Sequence, residues 1–146
     1  MKPEGESAAA SSAASLALQA ALYSALAADV DVQAALGSPP RIYDAVPRNA
    51  AMPYLVLGDD RETDAGTVTG PASVHRFTVH IWSRTPGHGE VKAIAAAVIA
   101  ALDAAALSPS GFTLTGPYFL GADYGRRNDG RTWHATLSFR ALLEQD

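Results

Sequence analysis

Ser73-Val74-His75-Arg76-Phe77-Thr78-Val79-His80-Ile81-Trp82-Ser83 is the stretch that decides the fold. Phe77, Val79 and Ile81 fall on one side of an extended chain; Arg76, Thr78 and His80 fall on the other. That period of two is the mark of a strand buried on one face only. Thr85-Pro86-Gly87 follows as a helix-start signal, with Thr as cap and Pro at the first helical position. Val91, Ile94, Ala95, Val98, Ile99 and Leu102 then form one apolar stripe, predicting a helix to about residue 106. A one-sided strand next to a one-sided helix predicts a sheet with a helical layer.

The same period returns downstream. Residues 132–143 read as the last strand, with Trp133, Ala135, Leu137 and Phe139 towards the core and His134, Thr136, Ser138 and Arg140 away from it. Residues 112–120 read as another strand, which Pro117 places at an edge or a bulge. Between them, 121–130 is a turn-rich tip signalled by Asn128-Asp129-Gly130. Upstream, Tyr54-Leu55-Val56-Leu57-Gly58 is apolar on both sides, as a strand covered on both faces would be. Residues 59–71 are polar with Gly66 and Gly70, and predict a long hairpin loop. A short strand is expected at 41–44, ended by Pro47. Leu18, Leu22, Ala25 and Leu26 predict a helix over 15–28, with a further turn or two at 31–36 stopped by Gly37 and Pro39-Pro40. The expected fold is α+β: an antiparallel sheet of four to five strands with two helices mainly on one face. One domain is expected at 15–146, behind a disordered Ala/Ser-rich lead-in at 1–14 that has no large apolar residue after Met1.

Composition narrows the function. A chain of 146 residues can build one core without staples. It has no cysteine, so disulfides, thiol nucleophiles and thiolate metal sites are excluded. Residues 91–107 are the most apolar stretch, but Lys92 and Asp103 break it, so no membrane span is expected. The first 15 residues lack the leucine-rich segment of a secretory signal. A net charge of -4 argues against a gripping nucleic-acid binder, which carries a basic footprint.

No catalytic set emerges. His75 and His80 point to opposite faces of one strand and cannot share a metal ion. His80 and His134 share the polar face, but no carboxylate of matching parity completes a site. His88 lies in a glycine-flanked turn, where solvation is expected. There is no Gly-x-Ser-x-Gly elbow and no dinucleotide fingerprint in a strand-helix-strand unit. No cofactor is expected. Asp59, Asp60, Glu62 and Asp64 cluster in the predicted loop; Arg126, Arg127 and Arg131 crowd the second hairpin tip. Each cluster reads as a solvated turn or as half of a charged contact.

Five segments carry a resemblance: Leu18-Gln19-Ala20-Ala21-Leu22-Tyr23; Arg41-Ile42-Tyr43-Asp44-Ala45-Val46-Pro47; Pro53-Tyr54-Leu55-Val56-Leu57-Gly58; His80-Ile81-Trp82-Ser83-Arg84; and Asp129-Gly130-Arg131-Thr132-Trp133-His134-Ala135 leading to Phe139-Arg140. In order and spacing they resemble the tail terminator (tail completion) proteins of long-tailed bacteriophages and phage-like gene transfer agents. The resemblance implies a structural virion protein, not an enzyme, assembled in the host cytoplasm. It implies a homohexameric ring at the head-proximal end of the tail tube that stops tube polymerisation and docks the head connector, with DNA passing unbound through the lumen. The partners implied are further copies of the chain, the tube protein and the connector or stopper. On that reading Trp82 is an interface anchor, and Arg76, His80 and His134 belong to a partner-facing sheet surface. The acidic cluster faces the tube or the lumen, and the arginine tip pairs with the acidic loop of the next copy. The competing reading is a small α+β ligand-binding or hydrolytic domain.

Overall fold

The structure, a computed structural model, describes residues 4–146, with side chains from residue 13 onward. Along the described residues, two helices precede three strands, and a third helix precedes two more. They are α1 (Glu4–Ala28), α2 (Val30–Leu36), β1 (Ile42–Tyr43), β2 (Tyr54–Asp64), β3 (Ala72–Ser83), α3 (Gly89–Ala104), β4 (Phe112–Arg126) and β5 (Trp133–Gln145). The strands form one sheet in the order β1-β2-β3-β5-β4, antiparallel except for the short parallel β1–β2 pair. This is the expected α+β architecture with one helix more. The expected lead-in at 1–14 lies outside the described residues at 1–3, and outside the described side chains to residue 12. Ala14 is already buried in the core.

Local chemistry sets the helix ends. Asp29 caps α2, its carboxylate accepting from the Val32 amide at 3.0 Å, and Gly37 closes that helix with φ 98°. α3 begins at Gly89, four residues after the predicted Thr85 cap. The Ser83 hydroxyl accepts from the Thr85 amide at 3.1 Å and donates to Glu90 at 2.5 Å, which holds 84–88 as a turn ahead of the helix.

The helices cover one face. Leu18, Leu22 and Leu26 of α1 and Val91, Ile94, Val98 and Leu102 of α3 are buried against Val79, Ile81, Leu137 and Phe139 of the sheet. Each such aliphatic side chain contributes about 1.5–3 kcal/mol by leaving water. Phe77 stacks on Phe139 with centroids 5.4 Å apart, and Phe119 meets Phe139 edge-on at 5.7 Å. Only Leu55 of β2 is fully buried, while Tyr54 and Val56 are half-buried on the other side, so β2 is covered on one face and not on two.

Two loops are shorter than predicted. The loop between β2 and β3 is 65–71, because β2 pairs with β3 as far as Asp64↔Ser73. A bulge between Leu57 and Asp60 conceals this continuation from any count of alternation. The β4–β5 loop is 127–132, since β4 pairs to Arg126↔Trp133 across two bulges. These turn Ala122 and Tyr124 to the helical side although Tyr118 lies on the open side.

Candidate functional site: the open face of the sheet and its margins

The face away from the helices carries Arg76, Thr78, His80 and Trp82 on β3, opposite Arg140, Ser138, Thr136 and His134 on β5. Arg76 is exposed, and the other seven are half-buried. Here the sequence expectation and the structure agree on which residues share the face. Their contacts form a row across the strands. Nδ1 of His80 lies 2.9 Å from Nε2 of His134, with ring planes 9° apart. That distance is below the ~3.5 Å at which unbonded ring atoms rest, so the pair is hydrogen-bonded, one nitrogen donating and one accepting. Trp82 stacks on His134, with centroids 3.9 Å apart. The Arg127 guanidinium stands 5.3 Å from the Trp82 ring, a cation–π contact.

This row resists protonation. Burial pushes the His134 imidazole down to about 4, and the neighbouring His80 and Arg127 charges add to the effect. Burial also lowers His80, against an opposing pull from Asp59. Among the described residues no three His, Asp or Glu side chains converge on a metal position.

The acidic cluster divides. Because β2 continues through it, Asp60 and Glu62 turn to the helical face while Asp59 and Asp64 are exposed. Asp60 accepts from the Ser15 hydroxyl at 2.6 Å and from Nδ1 of buried His75 at 2.9 Å. Nε2 of His75 lies 2.7 Å from the Ser73 hydroxyl. Burial raises the Asp60 carboxyl, but the hydrogen bonds from His75 and Ser15 outweigh it and hold it below its usual value. Glu62 is raised by burial, with His75 opposing and Asp60 adding, and its Oε1 has no hydrogen-bond partner among the described residues. No convergent acid, base and hydroxyl is legible in the sequence, yet Asp60, His75 and Ser73 stand in such a line. Ser73 is 2% exposed and His75 0%, however, and neither lines the cavity of about 30 Å³ beside Asp60. What the chain of bonds accomplishes is to tie α1, through Ser15, to the β2–β3 hairpin. The signal for it was His75 sharing parity with Phe77: a buried imidazole requires partners.

The arginine tip is arranged by Asp129. Its carboxylate accepts from the Arg131 and Thr132 amides, each at 2.9 Å, and from the Thr132 hydroxyl at 2.7 Å. These bonds, the Thr132 hydroxyl first, hold the exposed carboxyl at about 2. Arg126, Arg127 and Arg131 are left exposed, and none makes an ion pair among the described residues. Arg126 pairs with Trp133, whose other neighbour is Ser83, at the far end of β3 from Asp64↔Ser73. The acidic and basic clusters therefore do not meet within one chain.

One surface was not anticipated. Tyr118, Phe119 and Leu120 are 53%, 46% and 50% exposed on β4, an edge strand. An exposed apolar edge is a template for association.

The chain was compared with known proteins. Residues 20–144 match the family described as "Tail completion protein gp17". Among curated proteins nothing matches. A chain in the solved structure titled "Virion of native gene transfer agent (GTA) particle" is 38% identical, with a TM-score of 0.80, over 87% of this chain and 94% of that one. A family match over most of the chain, together with a close structural counterpart inside a virion, means that this chain belongs to the tail completion protein family and is a structural protein of the virion tail.

Proposed function

We propose that the protein forms a homohexameric ring at the head-proximal end of the tail tube, where it stops tube polymerisation and offers the surface that docks the head connector. DNA passes through the lumen. The observation that carries this reading is the near full-length likeness to a virion chain. The distribution of surface chemistry supports it. Among the described residues one sheet face has no helical layer, an edge strand is exposed and apolar, and the exposed Asp59 and Asp64 lie apart from the exposed Arg126, Arg127 and Arg131, none of them in an ion pair. A ring needs different, complementary patches on each copy, and such a surface supplies them. The competing hydrolytic reading draws its support from the Ser73–His75–Asp60 line, whose burial opposes it. The test is a map of assembled particles. Six-fold density for this chain between tube and head is the expected result; three-fold or twelve-fold density there defeats the proposal. Particles lacking the chain should carry overlong tubes that do not join heads.

A further inference from the structure

We infer that the outer face of α3, beside the β4 edge, is a socket for the 44–49 loop of a second copy of this chain. The inference rests on the ring reading above and specifies the contact that would build it.

The socket is a groove of about 400 Å³ between α3 and β4, lined by Ala96, Ile99, Ala100, Pro117 and Phe119, with Asp103 at one end. Lys92, Ala96, Ile99 and Asp103 recur at spacings of four, three and four, so they form one stripe over three helical turns. The middle of the stripe is apolar, one end is a cation and the other an anion. Both charges oppose the helix dipole: Lys92 stands near the N-terminus of α3 and Asp103 in its last turn. Both are exposed, and neither has an ion-pair partner among the described residues. Lys92 lies over the Tyr124 ring at 5.3 Å, which keeps its ammonium on the β4 side of the helix.

The complementary element leaves the opposite edge of the sheet. Asp44-Ala45-Val46-Pro47-Arg48-Asn49 follows β1, and all six residues are exposed. Val46, an apolar side chain, is 42% exposed. The loop repeats the socket's order in opposite sign: an anion, an apolar centre, a cation. Lys92 and Asp103 are about 16 Å apart along the helix. Residues 44 and 48 span at most about 14 Å, and the Lys and Arg side chains cover the difference. Val46 and Pro47 would sit against Ile99 and Ala100, with Asp44 towards Lys92 and Arg48 towards Asp103. Because β1 and β4 are opposite edges, the contact is head-to-tail and repeats around a ring.

The chain has no cysteine, which permits a direct test. The variant Val46→Cys/Ala100→Cys is introduced into particles, oxidised, and run on a non-reducing gel. Within one chain Val46 follows β1 at one edge of the sheet, whereas Ala100 lines a groove with Pro117 and Phe119 of β4 at the other edge, so the two sites lie across the sheet from each other and outside the reach of a disulfide. A ladder rising to six copies, absent from each single-cysteine variant, is expected. Intact, head-joined particles that give only monomer overturn the socket and leave the ring reading untouched. A ladder in particles whose map lacks six-fold symmetry supports the socket and defeats the hexamer. If the double-cysteine chain does not assemble, charge exchange decides. Arg48→Asp and Asp103→Arg should each lower particle yield by roughly tenfold or more, and the pair should restore it. Singles without effect, or a pair without rescue, overturn the proposal.

Discussion

Three residues of the β2–β3 hairpin carry more of the fold than their polar character suggests. Asp60, His75 and Ser73 form a hydrogen-bonded line that reaches α1 through Ser15. Asp60→Ala should cost about 2–3 kcal/mol in denaturant unfolding, because it leaves the buried His75 ring without its acceptor. Ser73→Ala should cost less, since the ring keeps its Asp60 contact. A loss at Asp60 no larger than that of an exposed carboxylate would show the line to be decorative. On the open face, Trp82 is held between His134 and Arg127 and is half-buried, so Trp82→Ala should cost only about 1–2 kcal/mol while preventing tail-to-head joining. A loss of ~3–5 kcal/mol would instead be that of a core aromatic. His134 also sets a pH response. Its imidazole is held at about 4 in the folded chain against an ordinary 6.5, so between those values the unfolded chain binds the extra proton. Stability should therefore fall as pH drops from about 7 to 4, and His134→Gln should flatten that decline in thermal unfolding. Asp60, lowered in the fold, adds a separate loss below its ordinary 3.8.

At the scale of elements, β2 shows what a sequence discloses and what it hides. β3 and β5 were legible because their two faces differ in chemistry, and parity alone placed Phe77, Val79, Leu137 and Phe139. The second half of β2, from Asp59 to Asp64, is polar on both faces, so no alternation marks it as strand. Its partner is known only once the register with β3 exists, and the bulge shifts that register. The Asp60–His75 contact, fifteen residues apart, was hidden for the same reason. The pairing of His80 with His134, by contrast, followed from two strands of readable parity. Gly58 at the bulge is the residue on which this geometry depends. A Cβ there would run into the Thr78 hydroxyl and lie 2.8 Å from the His80 ring. Gly58→Ala should cost about 1–3 kcal/mol by overpacking and should disturb the His80–His134 pair. Adding Thr78→Ala should recover part of that loss, and an unchanged unfolding midpoint for Gly58→Ala would mean that the bulge gives way freely.

Across the whole molecule, charge is separated along the strands. Arg84, Arg126, Arg127 and Arg131 gather where β3 ends and β5 begins, whereas Asp64, Glu144 and Asp146 gather at the other end. Strands of 11–15 residues place the two poles about 40 Å apart. Among the described residues no ion pair consumes the basic pole, so its charges cost the monomer little to keep and little to remove. In a ring of identically oriented copies the poles add six-fold, and whichever partner meets the basic rim has to be acidic. Replacing Arg126, Arg127 and Arg131 together by Ser should leave the unfolding midpoint nearly unchanged but lower the yield of joined particles, and the defect should resemble that of the normal chain assembled at high salt. The acidic pole requires a narrower experiment than its composition suggests, because Asp60 and Glu62 face the helical layer. Asp59→Asn/Asp64→Asn removes the outward charges alone. Overlong tubes from that pair would assign the acidic surface to the tube; particles that join heads normally but deliver DNA poorly would assign it to the lumen. Normal length, joining and delivery would show that these carboxylates serve only solubility, and would leave the arginine pole to be matched by a partner other than the next copy.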